Sequence, residues 1–266
     1  MNQTFNIVRF GRTLRWLYTY ESRKVLNLFL LATVVFAVYQ VNEMYHKIQY
    51  EMFCGVPIPQ RNILSMLLQV SNISLFFLTF LMCFGATFAF STLHRRHAGR
   101  QLLMLPASNV EKFMALWLIY VPLLFVVLIL AFFVGDLLRM IILPLLTENG
   151  HQPSAIPYFF SNMWRWIGGQ HVGINMRPII IQAWALIFVI HSLCLLSSVV
   201  AGNVGWLLSA LTVYGCAYFF IDSYGHYAWQ VPLLITLTIV FLLFTYRLFC
   251  RFPLFPSLYS FRFHGI

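Results

Sequence analysis

The chain has 266 residues, of which 61% are hydrophobic and only 9% are charged. Because an average soluble domain carries roughly a quarter charged residues, this composition excludes an ordinary soluble globular protein and indicates a membrane protein. The net charge of +10 would favour a nucleic-acid partner in a soluble chain. Here the basic residues flank hydrophobic segments, so we expect no nucleic-acid partner and use these residues to orient the chain in the lipid bilayer.

Residues 1–24 are predicted to form an N-terminal interfacial helix that lies on the membrane. Apolar residues at helical spacing make one face of this segment, and arginines make the other. The apolar face consists of Ile7, Phe10, Leu14, Leu17 and Tyr18. The opposite face carries Arg9, Arg12 and Arg15. A helix with one apolar face and one basic face is typical of amphipathic helices at a bilayer surface.

Six hydrophobic runs follow, each close to the length of about 20 residues that a bilayer core requires. They are residues 25–41, 63–90, 113–134, 179–201, 204–221 and 231–250. Most of the 17 Lys and Arg residues lie before the first run, between the second and third, or after the last. The positive-inside rule therefore places both termini, the segment 91–112 and the tail 251–266 in the cytoplasm, with residues 135–178 as a large outside loop. The predicted fold is an all-α membrane protein with six transmembrane helices.

The second hydrophobic run carries a polar stripe along one helical face. The stripe consists of Ser65, Gln69, Asn72 and Thr79. An unpaired polar group is costly in hydrocarbon, so we do not expect this face to contact lipid. Two interpretations remain open: hydrogen bonding to other helices or to a partner subunit, and a hydrated path for a transported substrate.

The sequence contains no motif typical of an enzyme. It has no HExxH zinc pair, no GxSxG nucleophile turn and no Walker A loop, so we expect no catalytic residue, metal site or cofactor on this chain. Asp136 and Asp222 lie near the ends of runs and are interpreted as caps or loop anchors reached by bulk water. His191 is the one titratable side chain predicted at mid-depth, and we interpret it as a hydrogen-bonded packing residue. Any transport would then draw its energy from another protein.

The segment 91–112 concentrates the charge of the chain, and the helix of the second run is expected to continue through it to Met104. Its cations include Arg95, Arg96 and Arg100, and its apolar residues are Leu102, Leu103, Met104 and Leu105. Pro106 predicts a break in the helix. The S-x-x-E spacing of Ser108 and Glu111 is that of a capping box, which predicts a new helix. Apolar side chains ringed by cations favour docking into a groove on a partner protein, and the lipid headgroup layer is the alternative site for their burial.

The stretch FGATFAFSTLHRRHAGRQLLMLPASNVEKFMALWL, residues 84–118, resembles the segment between spans two and three of type-2 ABC export permeases. The resemblance is strongest to small permeases of Bacteroides-group bacteria. It implies a coupling helix that rests on a separate ATPase subunit, which binds ATP and Mg²⁺, and a second permease subunit, identical or related. It also implies a location in the bacterial inner membrane. The aromatic and apolar spans favour an amphipathic substrate.

This resemblance assigns the ATPase-coupling role to one set of residues. They are Arg95, Arg96, Arg100, Leu102, Leu103, Leu105, Pro106, Ser108 and Glu111. The long outside loop after the third span departs from the family, in which external helices often lie between spans five and six. Two other functions remain open. One is a non-transporting scaffold or assembly subunit that recruits a soluble partner through the basic loop, and the other is a membrane-embedded enzyme that acts on lipids.

Overall fold

The computed structural model describes residues 5–53, 60–94, 101–102, 104–147, 153–168, 170–171, 174–175, 177–201 and 227–251. The helices in these ranges are α1 (Ile7–Phe53), α2 (Gln60–Ala86), α3 (Asn109–Leu118), α4 (Leu124–Thr147), α5 (Ile156–Gly168), α6 (Arg177–Ala201) and α7 (Tyr227–Arg251). A π-helical turn, Ile119–Leu123, joins α3 to α4. The only strands in the described part of the chain are β1 (Gln170–His171) and β2 (Ile174–Asn175), which pair antiparallel. The predicted all-α fold is therefore confirmed.

Five helical segments are long and apolar enough to cross a membrane. They are Ile7–Tyr50, Ile63–Ala86, Asn109–Thr147, Ile181–Ala201 and Gln230–Arg251. Each of them overlaps a run predicted from the sequence. The remaining predicted run, residues 204–221, lies outside the described residues. The outside loop predicted for residues 135–178 begins with three further turns of α4 and also contains α5.

Helix α1 is a single element of 47 residues. The predicted interfacial segment and the first predicted span are parts of this one helix, with no break between them. The local reason is that residues 12–53 contain neither proline nor glycine, so no residue there interrupts the backbone hydrogen bonds. The first apolar run therefore does not begin a new element.

Helix α2 ends earlier than predicted, at Ala86, so the expected helix from the second run through to Met104 is wrong. The chain tightens there into i→i+3 turns over residues 87–94. Two hydroxyls favour this change: Thr87 donates to the Phe84 carbonyl at 2.6 Å, and Ser91 donates to the Phe88 carbonyl at 2.8 Å. The Phe90 amide leaves the helical pattern and donates to Ser198 Oγ at 2.8 Å.

Contacts divide the chain into two compact units. The first contains Met1–Ser22, Met82–Leu124 and Ile181–Ile266. In it α6 and α7 run in the same direction, because Gln182 donates to Gln230 near the start of both helices. Further along, Ala185 and Val189 form a buried cluster with Leu234. An aromatic cluster in this unit contains Phe90, Phe113, Tyr246 and Phe249.

The second unit contains Arg23–Leu81 and Phe125–Ile180. Helices α1 and α2 are antiparallel in it, since Lys47 donates to Gln69 while Tyr39 packs on Phe77 with ring centroids 5.2 Å apart. Helix α5 packs on α4 through stacked rings of Phe159 and Phe132, whose centroids are 4.2 Å apart.

Helix α4 approaches α1 closely at Gly135. A Cβ atom at this position would lie 2.9 Å from Phe36 Cβ and 3.2 Å from the backbone nitrogen of Ala37. Both contacts are to atoms that cannot move without shifting α1. The glycine is therefore required by the packing of the two helices.

We predict that Gly135→Ala lowers the thermal unfolding midpoint of the detergent-purified chain. Overpacking costs about 1–3 kcal/mol, and the better helix propensity of alanine offsets about 1 kcal/mol of this. Gly11→Ala is the matched control, because no atom lies within 4 Å of the added Cβ. The control should leave the midpoint unchanged or raise it. Equal midpoints for Gly135→Ala and Gly11→Ala would contradict the close approach, because both substitutions gain the same helix propensity and only the first meets other atoms.

Candidate functional site

The chain bends at residues 105–107, just before α3, and we call residues 101–102 and 104–111 the elbow. The Leu105 amide donates to the Leu102 carbonyl at 3.4 Å, and the Ala107 amide donates to the Leu105 carbonyl at 2.7 Å. Pro106 lies exposed at the bend. The predicted helix break is therefore confirmed.

The predicted capping box at the start of α3 is also confirmed. The Glu111 amide donates to Ser108 Oγ at 3.3 Å, and the Ser108 amide donates to Glu111 Oε2 at 2.8 Å. Both interactions pair backbone groups that the first turn of a helix leaves without partners. The elbow is thus fixed to α3 by local hydrogen bonds.

Glu111 has a second set of partners, from the start of α1. The Arg9 guanidinium donates from Nε to Glu111 Oε2 and from Nη2 to Oε1, both at 2.8 Å, and the Asn6 amide donates to Oε1 at 2.8 Å. The Asn6 side chain in turn caps α1 by accepting from the Val8 and Arg9 amides at 3.0 and 3.2 Å. The Glu111 side chain is fully buried, whereas that of Arg9 is 29% exposed. One carboxylate therefore joins the starts of two helices.

The donors around Glu111 stabilise its charged form. Glu111 precedes the continuous apolar stretch, which begins at Phe113, and so lies outside the spanning part of its helix. The hydrogen bonds from Arg9, followed by those from the Asn6 and Ser108 amides, lower the pKa of Glu111 from 4.5 to about 2, although desolvation opposes this change. The carboxylate is therefore ionised at neutral pH.

A second carboxylate ties α1 to the π-helical turn. The Tyr120 hydroxyl donates to Glu21 Oε2 at 2.6 Å, and both side chains are fully buried. Pro122 lies inside the π-helical turn, where it cannot donate a backbone hydrogen bond. Because Arg9 meets Glu111 and Glu21 meets Tyr120 further along both segments, α1 and α3 run in the same direction.

These two pairs determine which face of α1 packs inward. Thr13, Leu17 and Glu21 are buried, while Ile7 and Tyr18 of the predicted apolar face are 76% and 50% exposed. Ile7 and Tyr18 therefore do not pack within the chain, and the contact of the predicted apolar face with the membrane stays a prediction. Apolar spacing alone did not reveal that Glu21 and Arg9 have partners on α3 and the π-helical turn. The available signal was the scarcity of acids: only 7 occur in the chain, and an acid among apolar residues needs a partner.

The predicted ATPase-coupling residues fall into three groups. Arg95, Arg96, Arg100 and Leu103 lie outside the described residues. Leu105 and Ser108 are half-buried, and Pro106 is exposed. Leu102 and Glu111 are fully buried within the chain, so neither side chain is accessible to a partner in this conformation. Met104 belongs to the predicted apolar run but not to the predicted coupling set, and its side chain is 81% exposed.

The predicted polar stripe of α2 lies mostly on the outer face of the helix. Ser65, Gln69 and Asn72 are exposed, and Gln69 accepts from Lys47. Thr79 is half-buried and donates to the Leu75 carbonyl at 3.0 Å. The structure leaves both interpretations of this stripe, subunit interface and substrate path, as predictions.

The remaining predicted polar positions differ in their surroundings. His191 is mostly buried, but its Nε2 has no hydrogen-bond partner, so the predicted bond is absent at that nitrogen. Asp222 lies outside the described residues. Within the described ranges, no group of three or more His, Cys, Asp or Glu side chains could hold a metal ion.

The described helices define the class of this protein: a multi-pass helical membrane protein. Comparison with protein-family models, with curated proteins and with solved structures gave no significant match to the chain.

We predict that Tyr120→Phe destabilises the protein by about 1–3 kcal/mol, because it leaves the buried Glu21 carboxylate without this donor. The unfolding midpoint in detergent is the measurement. Tyr18→Phe is the matched control, since the Tyr18 side chain is 50% exposed, and it should leave the midpoint unchanged. Similar midpoints for both variants would show that the Tyr120 hydroxyl contributes nothing.

We predict that the stability provided by Glu111 depends on pH. Its folded-state pKa of about 2 lies below the ordinary value of 4.5, so the contribution is complete above pH 4.5 and is lost as the pH falls towards 2. The difference in unfolding midpoint between wild type and Glu111→Gln should therefore shrink as the pH is lowered from 6 to 3. A difference that stays constant across this range would contradict a stabilising role for the hydrogen bonds to the Glu111 carboxylate.

Proposed function

We propose that this chain is the membrane subunit of an ATP-binding-cassette exporter of the type-2 permease class. In this proposal the elbow is the coupling element that rests on a separate ATPase subunit. That ATPase binds ATP and Mg²⁺ and performs the hydrolysis, because this chain carries no Walker A loop. The complex lies in a bacterial inner membrane, contains a second permease subunit and moves an amphipathic substrate outward.

The anchoring of the elbow by Glu111 is the observation that carries this proposal. A coupling element must move as one body with the helices that it drives, or the motion of the partner is lost in local bending. Here the capping box joins the elbow to α3, and the same carboxylate joins it to the first turn of α1. A push on the elbow therefore reaches two long helices at once.

The directions of the helices support the proposed topology. Helix α1 is antiparallel to α2 and parallel to α3, as expected for successive crossings that begin in the cytoplasm. Helices α6 and α7 are parallel, as expected if one further crossing lies between them. The N-terminus and the elbow then share one side of the membrane, which the positive-inside rule assigns to the cytoplasm.

The exposed part of the elbow suits contact with a protein. Met104 presents a flexible apolar side chain, and Pro106 lies beside it at the bend. Methionine adapts its shape to a partner surface and is enriched at interfaces. The basic residues Arg95, Arg96 and Arg100 precede this tip in the sequence. In the proposed complex they surround the contact with positive charge.

We predict that Met104→Asp uncouples ATP hydrolysis from transport in the purified complex reconstituted into lipid vesicles. The charge falls in an apolar contact, so ATPase copurification should weaken while the permease remains folded in the membrane. Phe53→Asp is the matched control, because Phe53 is 91% exposed and belongs to the predicted opposite side. Leu102→Asp should instead impair folding, since it buries a charge.

Three results would count against this proposal. One is full copurification and coupling in the Met104→Asp variant. Another is copurification with a stable partner that has no ATPase activity, which would favour the scaffold alternative. The third is protease cleavage of the elbow from the periplasmic side of sealed vesicles.

A further inference from the structure

The second unit contains several buried polar atoms that have no hydrogen-bond partner. They are the Tyr39 hydroxyl, both amide atoms of Gln40, Ser74 Oγ and Arg139 Nη1. Gln40, Ser74 and Arg139 are fully buried as whole residues. An orphaned buried polar group is rare in folded proteins and is costly in a membrane protein, so such a concentration needs an explanation.

Helix geometry brings these groups together. Phe36 and Ala37 pack against Gly135, and four residues further along α1 and α4 lie Gln40 and Arg139. Because the two helices run in the same direction, these side chains occupy the next turn of the same interface. On α2, Ser74 lies one helical turn before Phe77, which packs on Tyr39. The orphaned groups of three helices therefore lie at one level of this unit.

The charge at this level is already balanced. Arg139 donates from Nε to Asp136 Oδ1 at 2.9 Å and from Nη2 to the Pro153 carbonyl at 2.8 Å. Asp136 also accepts from Ser154 Oγ at 2.7 Å and from the Ala155 amide at 3.0 Å. Asp136 is thus a loop anchor as predicted, but it is buried and not reached by bulk water. A charged ligand would add an uncompensated buried charge, so a neutral ligand is favoured.

The orphaned atoms also specify the hydrogen-bonding pattern of the ligand. Gln40 offers a donor and an acceptor side by side, which together match the carbonyl and N–H of an amide. Arg139 Nη1 and the hydroxyls of Tyr39 and Ser74 supply further donors for a carbonyl oxygen. Aromatic rings of Phe36 and Phe77 lie next to this level and give the site an apolar wall.

We propose that the second unit contains a binding site for a neutral amide group carried on an apolar body. Both an N-acyl lipid and an apolar blocked peptide present this chemistry. The Gln40 side chain donates one hydrogen bond to the amide carbonyl and accepts one from the amide N–H, and Arg139 also donates to the carbonyl. The site does not require the proposed transport function, because it is built from contacts of α1, α2 and α4 alone.

The test measures binding of radiolabelled dodecanamide to the purified full-length chain in detergent. Wild type should bind it saturably, and Gln40→Leu should weaken binding about ten-fold, which corresponds to the loss of a buried hydrogen-bonded pair. The Gln40→Leu variant should fold as well as wild type, since it removes an unpaired amide. Ser74→Ala, a smaller change, should weaken binding as well. Gln69→Leu is the matched control, because Gln69 is exposed on α2, and it should bind like wild type.

Competition experiments distinguish the chemistry and the source of the ligand. Unlabelled methyl laurate, which lacks the N–H, and laurate, which is charged, should compete at least about ten-fold more weakly than dodecanamide. An acetylated, amidated leucine tripeptide competes if the source is a peptide, and only the acyl amide competes if the source is a lipid. Absence of saturable dodecanamide binding, equal binding by Gln40→Leu, or stronger competition by laurate would each overturn the proposal.

Discussion

A buried polar or charged side chain needs hydrogen-bond partners, because burial without them is costly both in lipid and in a protein interior. This constraint explains the arrangement of the first unit. Glu111 and Glu21 are buried, and each is held by a donor from another segment: Arg9 for the first and Tyr120 for the second. The two carboxylates thereby fix the direction and the register of α1 against α3.

The same constraint has a mechanical consequence. Apolar helix contacts can slide at small cost, because lipid and side chains are similarly apolar. A bidentate carboxylate–guanidinium pair instead fixes one position, because a shift along the helix axis would break both hydrogen bonds to the buried Glu111 carboxylate. The elbow therefore has a firm attachment at its α3 end and an exposed apolar tip at Met104.

Local sequence patterns predicted the features that local interactions determine. The five described spans follow from apolar length, the break at Pro106 follows from its ring, and the capping box follows from the spacing of Ser108 and Glu111. The failures depend on partners that are distant in sequence. The end of α2 depends partly on Ser198, which is 108 residues away from Phe90. The side of α1 that packs within the chain also depends on Glu111 and Tyr120, about 100 residues away along the chain.

The contrast between the two units bears on the orphaned groups around Gln40. The first unit surrounds one carboxylate with donors from Asn6, Arg9 and Ser108, and in the second Asp136 has Arg139, Ser154 and Ala155. A chain that pairs its buried acids so completely has no evident reason to leave a buried glutamine without any partner. Leucine would fill a similar volume there with no polar atoms to satisfy. The amide is therefore best explained by a group that enters from outside the chain and completes its hydrogen bonds.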